Sequence, residues 1–170
     1  MDPKIQNWRS VLLKRIEPID QNLVDQHYMT LALDQAKKAF IMEEVPVGAV
    51  VVEGDSILSR AHNAVKSLTD PSCHAELLAI RLACKKKKNY RLNGATLYVT
   101  IEPCTMCFGI LIHARIKRLV FGALELKAGV LSSRLNLNTE SFYNHKIMVT
   151  GGVLASSCSE IMSDFFSIRR

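Results

Sequence analysis

Two cysteines and a histidine frame the chemistry open to this chain. Cys104 and Cys107 stand three residues apart in "PCTMC". At helical spacing, side chains three apart share a face. Thiolates paired in this way suit zinc or another borderline-soft cation, and a helix N-terminus favours the negative charge they carry. Two ligands do not complete a site. His74, in "DPSCHAELLA", is the best donor elsewhere in the chain, and it too opens a stretch of helical character. One neutral imidazole with two thiolates leaves the fourth tetrahedral position open for water, the pattern of a catalytic rather than a structural zinc. Water bound there ionises near neutral pH. Glu76 follows His74 by two residues, about 200° around a regular helix, so it is a poor fourth ligand. It is a good neighbour of the water, placed to carry a proton to a substrate nitrogen.

Two other readings use the same residues. A Cys-x-x-C at a helix start also describes a redox dithiol, although Thr105 and Met106 replace the usual Gly-Pro type of insert. A closed, four-ligand structural zinc would instead recruit Cys73 or Cys84.

These residues must be delivered by regular elements. Apolar positions from Asp25 to Glu44 recur at helical spacing (Tyr28, Leu31, Ala32, Ala39, Phe40). "VPVGAVVVEGDSILSRAHN" reads as a β-hairpin turning at Glu53-Gly54-Asp55. "CHAELLAIRLACKKKK" is helical. Asn93-Gly94 turns the chain into a strand from Ala95 to Ile101. "PCTMCFGILIHARI" is a helix with Pro103 at its first position. "RLVFG" and "KIMVT" are strands, separated by a loop with a weak helical patch, and "VLASSCSEIMSDFFSIRR" is a closing amphipathic helix. A hairpin followed by alternating strands and helices gives an α/β fold, a three-layer α/β/α sandwich around a mixed five-stranded sheet. The connection between the last two strands is long enough for a crossover, so these are expected to be parallel. Residues 1–22 read as an N-terminal extension, with Trp8 and Leu12 available to pack, and 23–170 as a single domain.

Composition sets the class. The chain has 170 residues, 48% hydrophobic and 22% charged, as in an ordinary globular domain. No window approaches a membrane helix, and the N-terminus lacks the order of a signal peptide, so a cytoplasmic location is expected. Five cysteines without an export signal favour reduced thiols or metal ligation over disulfides. A net charge of +6 suits a polyanionic partner, nucleic acid first. The densest basic run, "KKKKNYR" at 85–91, reads equally as a phosphate contact or as a solvated helix end whose lysines complement the dipole.

"HAE" at 74–76 with "PCTMC" at 103–107 resembles the signature of the zinc-dependent cytidine/deoxycytidylate deaminase superfamily. "EVPVGAVVV", "HN" at 62–63, "NYRLNGATLYVTIEPCTMC", "IHARIKRLVFGA", "GGVLASSCSEIMSDFF" and the final "RR" are similar, within it, to the bacterial tRNA-specific adenosine deaminases. The likeness runs from about residue 25 to residue 170. It implies a cytidine deaminase-like fold, one zinc per subunit on His74, Cys104 and Cys107, and Glu76 as the catalytic acid–base. The implied reaction is zinc-activated hydrolysis of the wobble adenosine of a tRNA anticodon, arginine tRNA foremost, to inosine. Asn63 would hold the base, with Val47, Pro46, Ala75 and Ile101 around it. Glu125, Lys127, Phe166 and Arg169 would meet the anticodon stem-loop, in a homodimer whose subunits both contribute, with no membrane involved. Two departures stand out: Leu124-Glu125-Leu126-Lys127 where the family often has Arg or another polar residue, Asp, Ala and Lys, and Ser167 where Arg is common. The alternative on the same scaffold is a deaminase of a free base or nucleotide, such as guanine or cytosine, which needs neither the basic charge nor "IMSDFFSIRR". An inactive RNA-binding partner would have lost Glu76 or a ligand, and all four residues are present.

Overall fold

A computed structural model describes residues 20–169. The reading of residues 1–22 as an extension, Trp8 and Leu12 included, therefore lies, up to residue 19, outside the described residues.

Helix α1 spans Gln21–Ile41 and begins four residues before the sequence pattern suggests. The reason is a cap: the Asp20 carboxylate accepts the Asn22 N–H at 2.9 Å, satisfying a backbone donor that the helix cannot. One face of α1, through Tyr28, Met29, Ala32, Ala36 and Ala39, is buried. Its alanines let it lie directly on strand β1 (Gly48–Glu53). A Cβ at Gly48 would stand 2.0 Å from the Ala32 carbonyl oxygen, so no larger residue fits there.

Strand β2 (Ser56–His62) returns antiparallel to β1 through a turn at Gly54, whose φ is +56°. Helix α2 (Ala75–Lys87) leads to β3 (Thr96–Ile101), antiparallel to β1 on its other edge. Helix α3 (Thr105–His113) and β4 (Arg118–Ala123) follow, then β5 (Met148–Thr150) and α4 (Ala155–Ser167). The strand order is β2-β1-β3-β4-β5, with β3, β4 and β5 mutually parallel, as the crossover lengths require. The weak helical patch before β5 is only a 3₁₀ turn, Leu137–Thr139.

Alternation along β1 divides the core in two. Ala49 and Val51 face α2 and α3 with Ile80, Leu97, Phe108 and Leu119. Val50 and Val52 face α1 and α4 with Met29, Tyr98, Val120 and Cys158. Both faces of the strand are covered, which is why it reads as an unbroken apolar run. The three-layer sandwich expected from the sequence is thus the architecture found.

An ion pair joins the layers on the α1 side. Asp25, 3% exposed, accepts both guanidinium N–H groups of Arg118 at 2.6 Å and the Tyr98 hydroxyl at 3.0 Å. Burial opposes ionisation of Asp25, but hydrogen bonds from Arg118, Gln21 and Tyr98, with the Arg118 charge, together outweigh it and hold the carboxyl below the usual carboxylate range. Asp25→Asn leaves Arg118 uncompensated and is expected to lower stability by about 3 kcal/mol at neutral pH, measured by urea denaturation. A carboxyl with a depressed folded pKa contributes fully above its unfolded value of about 3.9 and loses that contribution as pH falls through the folded value. The gap between wild type and variant should therefore close in acid; a gap independent of pH would mean the pair does not carry the effect.

Candidate metal centre and active site

Two helix starts converge to make the site. His74 is the N-cap of α2 and Cys104 the N-cap of α3, both with extended backbone and neither making a side-chain cap hydrogen bond. Pro103 therefore lies just outside α3 rather than at its first helical position; the extended Cys104 takes the cap instead. The shift helps the site. N-cap and third-residue side chains are neighbours at a helix start, so Cys104 and Cys107 come together while the N-terminal dipole faces both.

The three ligand atoms form a triangle. Cys104 Sγ and Cys107 Sγ are 3.7 Å apart, and His74 Nδ1 lies 3.9 Å from the first and 3.5 Å from the second. A tetrahedral zinc with bonds of about 2.3 Å to sulfur and about 2.0–2.1 Å to nitrogen needs edges of about 3.8 and 3.6 Å. The triangle fits. Cys73, which is buried, and Cys84, whose thiol donates to the Tyr90 carbonyl at 3.6 Å, are not part of it. Among the described residues, His74, Cys104 and Cys107 form the one cluster of this kind. The two thiols are hydrogen-bonded to each other, which holds the Cys104 thiol down to about 4, while the same bond and burial push the Cys107 thiol up.

Two corners of the triangle, His74 and Cys104, form part of the wall of a cavity of about 340 Å³; Cys107 is fully buried and does not line it. Glu76 lines it beside the cysteines, 3% exposed, and burial pushes its carboxyl upward, as suits a proton carrier. Asn63, Val47 and Ile101 line it as well. Asn63 Oδ1 accepts the Ala75 N–H at 2.8 Å, capping the first turn of α2 where His74 does not. An N–H can only meet the amide oxygen, so the side-chain NH₂ is the end left for a ligand. Ala75 and Pro46, expected around the base, are buried and form no part of the cavity lining. Ala75 acts one step back, by fixing Asn63.

Glu125 and Arg169 line the same cavity. Lys127 and Phe166 line an adjoining one of about 550 Å³ that shares Met162 and Arg169 with it. The structure separates two neighbouring phenylalanines that the sequence leaves equivalent. Phe165 is core, 3% exposed, with the Arg169 guanidinium 3.7 Å over its ring; Phe166 is 47% exposed. Ser167 Oγ donates to the Asp164 carbonyl within its own helix. Two buried carboxylates of the cavity have no role in the sequence reading: Glu44, which accepts the Lys66 and Ser67 N–H groups, and Glu102. Their only signal is negative charge beside the apolar strand ends.

A five-stranded mixed sheet with a His-Cys-Cys centre at two helix starts, and a buried glutamate beside it, defines a deaminase of the cytidine deaminase superfamily. Residues 23–170 match the family model of the MafB19-like deaminases. The tRNA-specific adenosine deaminase of Haemophilus influenzae is 47% identical over 147 residues, covering 86% of this chain and 85% of that one. That of Bacillus subtilis is 44% identical over 142 residues, 84% and 88% of the two chains. A solved structure from a study of A-to-I editing by tRNA:A34 deaminases at the wobble position of transfer RNA superposes with a TM-score of 0.77 at 41% identity, over 79% of this chain and 98% of that one. This chain belongs to the family of tRNA-specific adenosine deaminases. No helix among the described residues is long and apolar enough to cross a membrane.

Proposed function

We propose that this protein converts the wobble adenosine of a tRNA anticodon, arginine tRNA foremost, to inosine, as a zinc-dependent homodimer in the cytoplasm. The observation that carries the reading is the zinc-sized triangle of His74, Cys104 and Cys107, whose His74 and Cys104 line one cavity with Glu76 and Asn63. Zinc held by those three residues supplies Lewis-acid activation of water at neutral pH. The net reaction forms a bond from water oxygen to C6 of the purine and breaks the C6–N6 bond, releasing ammonia. Glu76 receives the proton lost by water, delivers it to the ring nitrogen beside C6, and then carries a proton to the departing amine. Val47 and Ile101 shield the base, and the Asn63 NH₂ donates to an acceptor on its edge. The exposed Lys127, Phe166 and Arg169 offer charge and a stacking face to the splayed nucleotides of a loop. The names of the relatives point to the same substrate class.

Incubation with an arginine tRNA transcript bearing adenosine at the wobble position, followed by sequencing, should show inosine at that position alone. Free guanine, cytosine and adenosine should be left unchanged. Product from a free base, with none from the tRNA, would overturn the assignment.

A further inference from the structure

Glu102 closes β3's last pairing with β4, its N–H donating to the Ala123 carbonyl at 2.8 Å, and sits two residues before Cys104. Its carboxylate is 1% exposed and faces a loop rather than the metal triangle. Oε1 accepts the N–H groups of Leu131 at 2.9 Å, Ser132 at 2.7 Å and Ser133 at 3.1 Å. Oε2 accepts the Glu125 N–H at 3.2 Å and the Ser133 hydroxyl. Four backbone donors and one hydroxyl thus converge on a buried anion, an arrangement in which aligned N–H dipoles balance its charge.

Residues 124–136 lie outside every helix and strand. The loop's position is not set by sheet pairing, yet Glu125 and Ala128 line the active cavity and Lys127 the adjoining one. The loop also touches the start of the metal-bearing turn directly, the Val130 N–H donating to the Pro103 carbonyl at 3.3 Å. Contact with the carboxylate is close: a Cβ at Gly129 would lie 2.4 Å from Glu102 Oε2 and 2.5 Å from the Glu125 carbonyl oxygen.

We propose that Glu102 is the positioning residue that holds the loop of residues 124–133 against the turn carrying Cys104, and through that loop sets how tightly the RNA is bound. The substrate named here rests on the tRNA reading above; the loop-holding role rests on the hydrogen bonds alone. Glu102 itself touches no reacting atom in this account, so its loss should act on binding rather than on the chemical step.

The test uses the full chain with zinc, as wild type, Glu102→Ala, Glu102→Gln and Gly129→Ala. Zinc content, amide hydrogen exchange and steady-state kinetics on an anticodon stem-loop are measured for each. Zinc should stay near one per chain throughout. Glu102→Ala should lose exchange protection at Leu131, Ser132 and Ser133. Its KM should rise about tenfold or more, with kcat within about threefold, because misplacing a binding loop weakens orientation before chemistry. Glu102→Gln, which retains one acceptor oxygen, should fall between the two. Gly129→Ala, which forces the carboxylate and the loop apart from the other side, should reproduce the KM rise with the carboxylate intact. Unchanged protection in Glu102→Ala, a fall in kcat at constant KM, or zinc loss in step with activity would overturn the role. Should Glu102→Ala fail to fold, Gly129→Ala decides: a wild-type KM in that variant overturns it. A wild-type enzyme inert on the stem-loop would refute the substrate reading, while the exchange data would still judge the loop.

Discussion

Glu76→Gln is expected to lose at least about 100-fold in deamination rate while keeping its zinc and its fold, the scale usual for a positioned acid–base group. Gln has the shape of Glu and accepts hydrogen bonds, but cannot carry a proton from water to the base and on to the amine. The site leaves no obvious substitute. Of the cavity's other carboxylates, Glu44 and Glu102 are held by loop N–H groups, Glu43 pairs with the Lys66 ammonium at 3.8 Å, and Glu125 accepts the Lys127 N–H at 2.9 Å. Glu76 is left beside the metal triangle with burial raising its pKa. Glu76→Ala should lose a similar factor, with zinc retained because the ligand set is untouched. Single-turnover assays on the tRNA, alongside metal analysis, check both variants. Near-normal turnover in Glu76→Gln would remove this residue from its role.

Cys104→Ser should abolish activity outright by emptying the metal centre. Zinc should drop from about one per chain to a small fraction of that, since a hydroxyl replaces a soft thiolate and only two strong ligands remain. The effect on the fold should be smaller than on the reaction. The starts of α2 and α3 are also tied by backbone bonds, including Leu78 N–H to the His74 carbonyl at 3.0 Å and Phe108 N–H to the Cys104 carbonyl at 2.9 Å. The two hydrophobic cores lie behind them. The thermal transition should therefore remain cooperative at a lower temperature. A chelator applied to wild type should reproduce both results, and added zinc should restore activity to the chelated wild type but not to Cys104→Ser. Full activity in metal-free protein would sink the mechanism.

The same residues show where sequence reading ends. The helices and strands were legible because their apolar periods are strong. The alternation of β1 and the spacing of Tyr28, Ala32 and Ala39 reflect two-sided burial and a helix face, both local patterns. The parallel pairing of β4 with β5 followed from the length of residues 124–147, too long for a hairpin. Boundaries were less legible, because a cap is a hydrogen bond: Asp20 extends α1, and the extended Cys104 displaces Pro103 from the first helical position.

What this sequence determined by itself is the chemistry on offer: two thiols, an imidazole and a glutamate at motif spacing, on helices whose starts stabilise anions. The tertiary structure alone decided how those groups are aimed. It brought His74 within 3.5 Å of Cys107 across 33 positions of chain, turned the Asn63 oxygen onto Ala75, and sent Phe165 inward and Phe166 outward. It also turned the Glu102 carboxylate onto amides 23 to 31 residues away. Residue type and local period are written in the sequence one position at a time. Which donor meets which acceptor depends on packing between segments far apart in the chain, and here that packing holds a catalytic cavity and its loop in one frame.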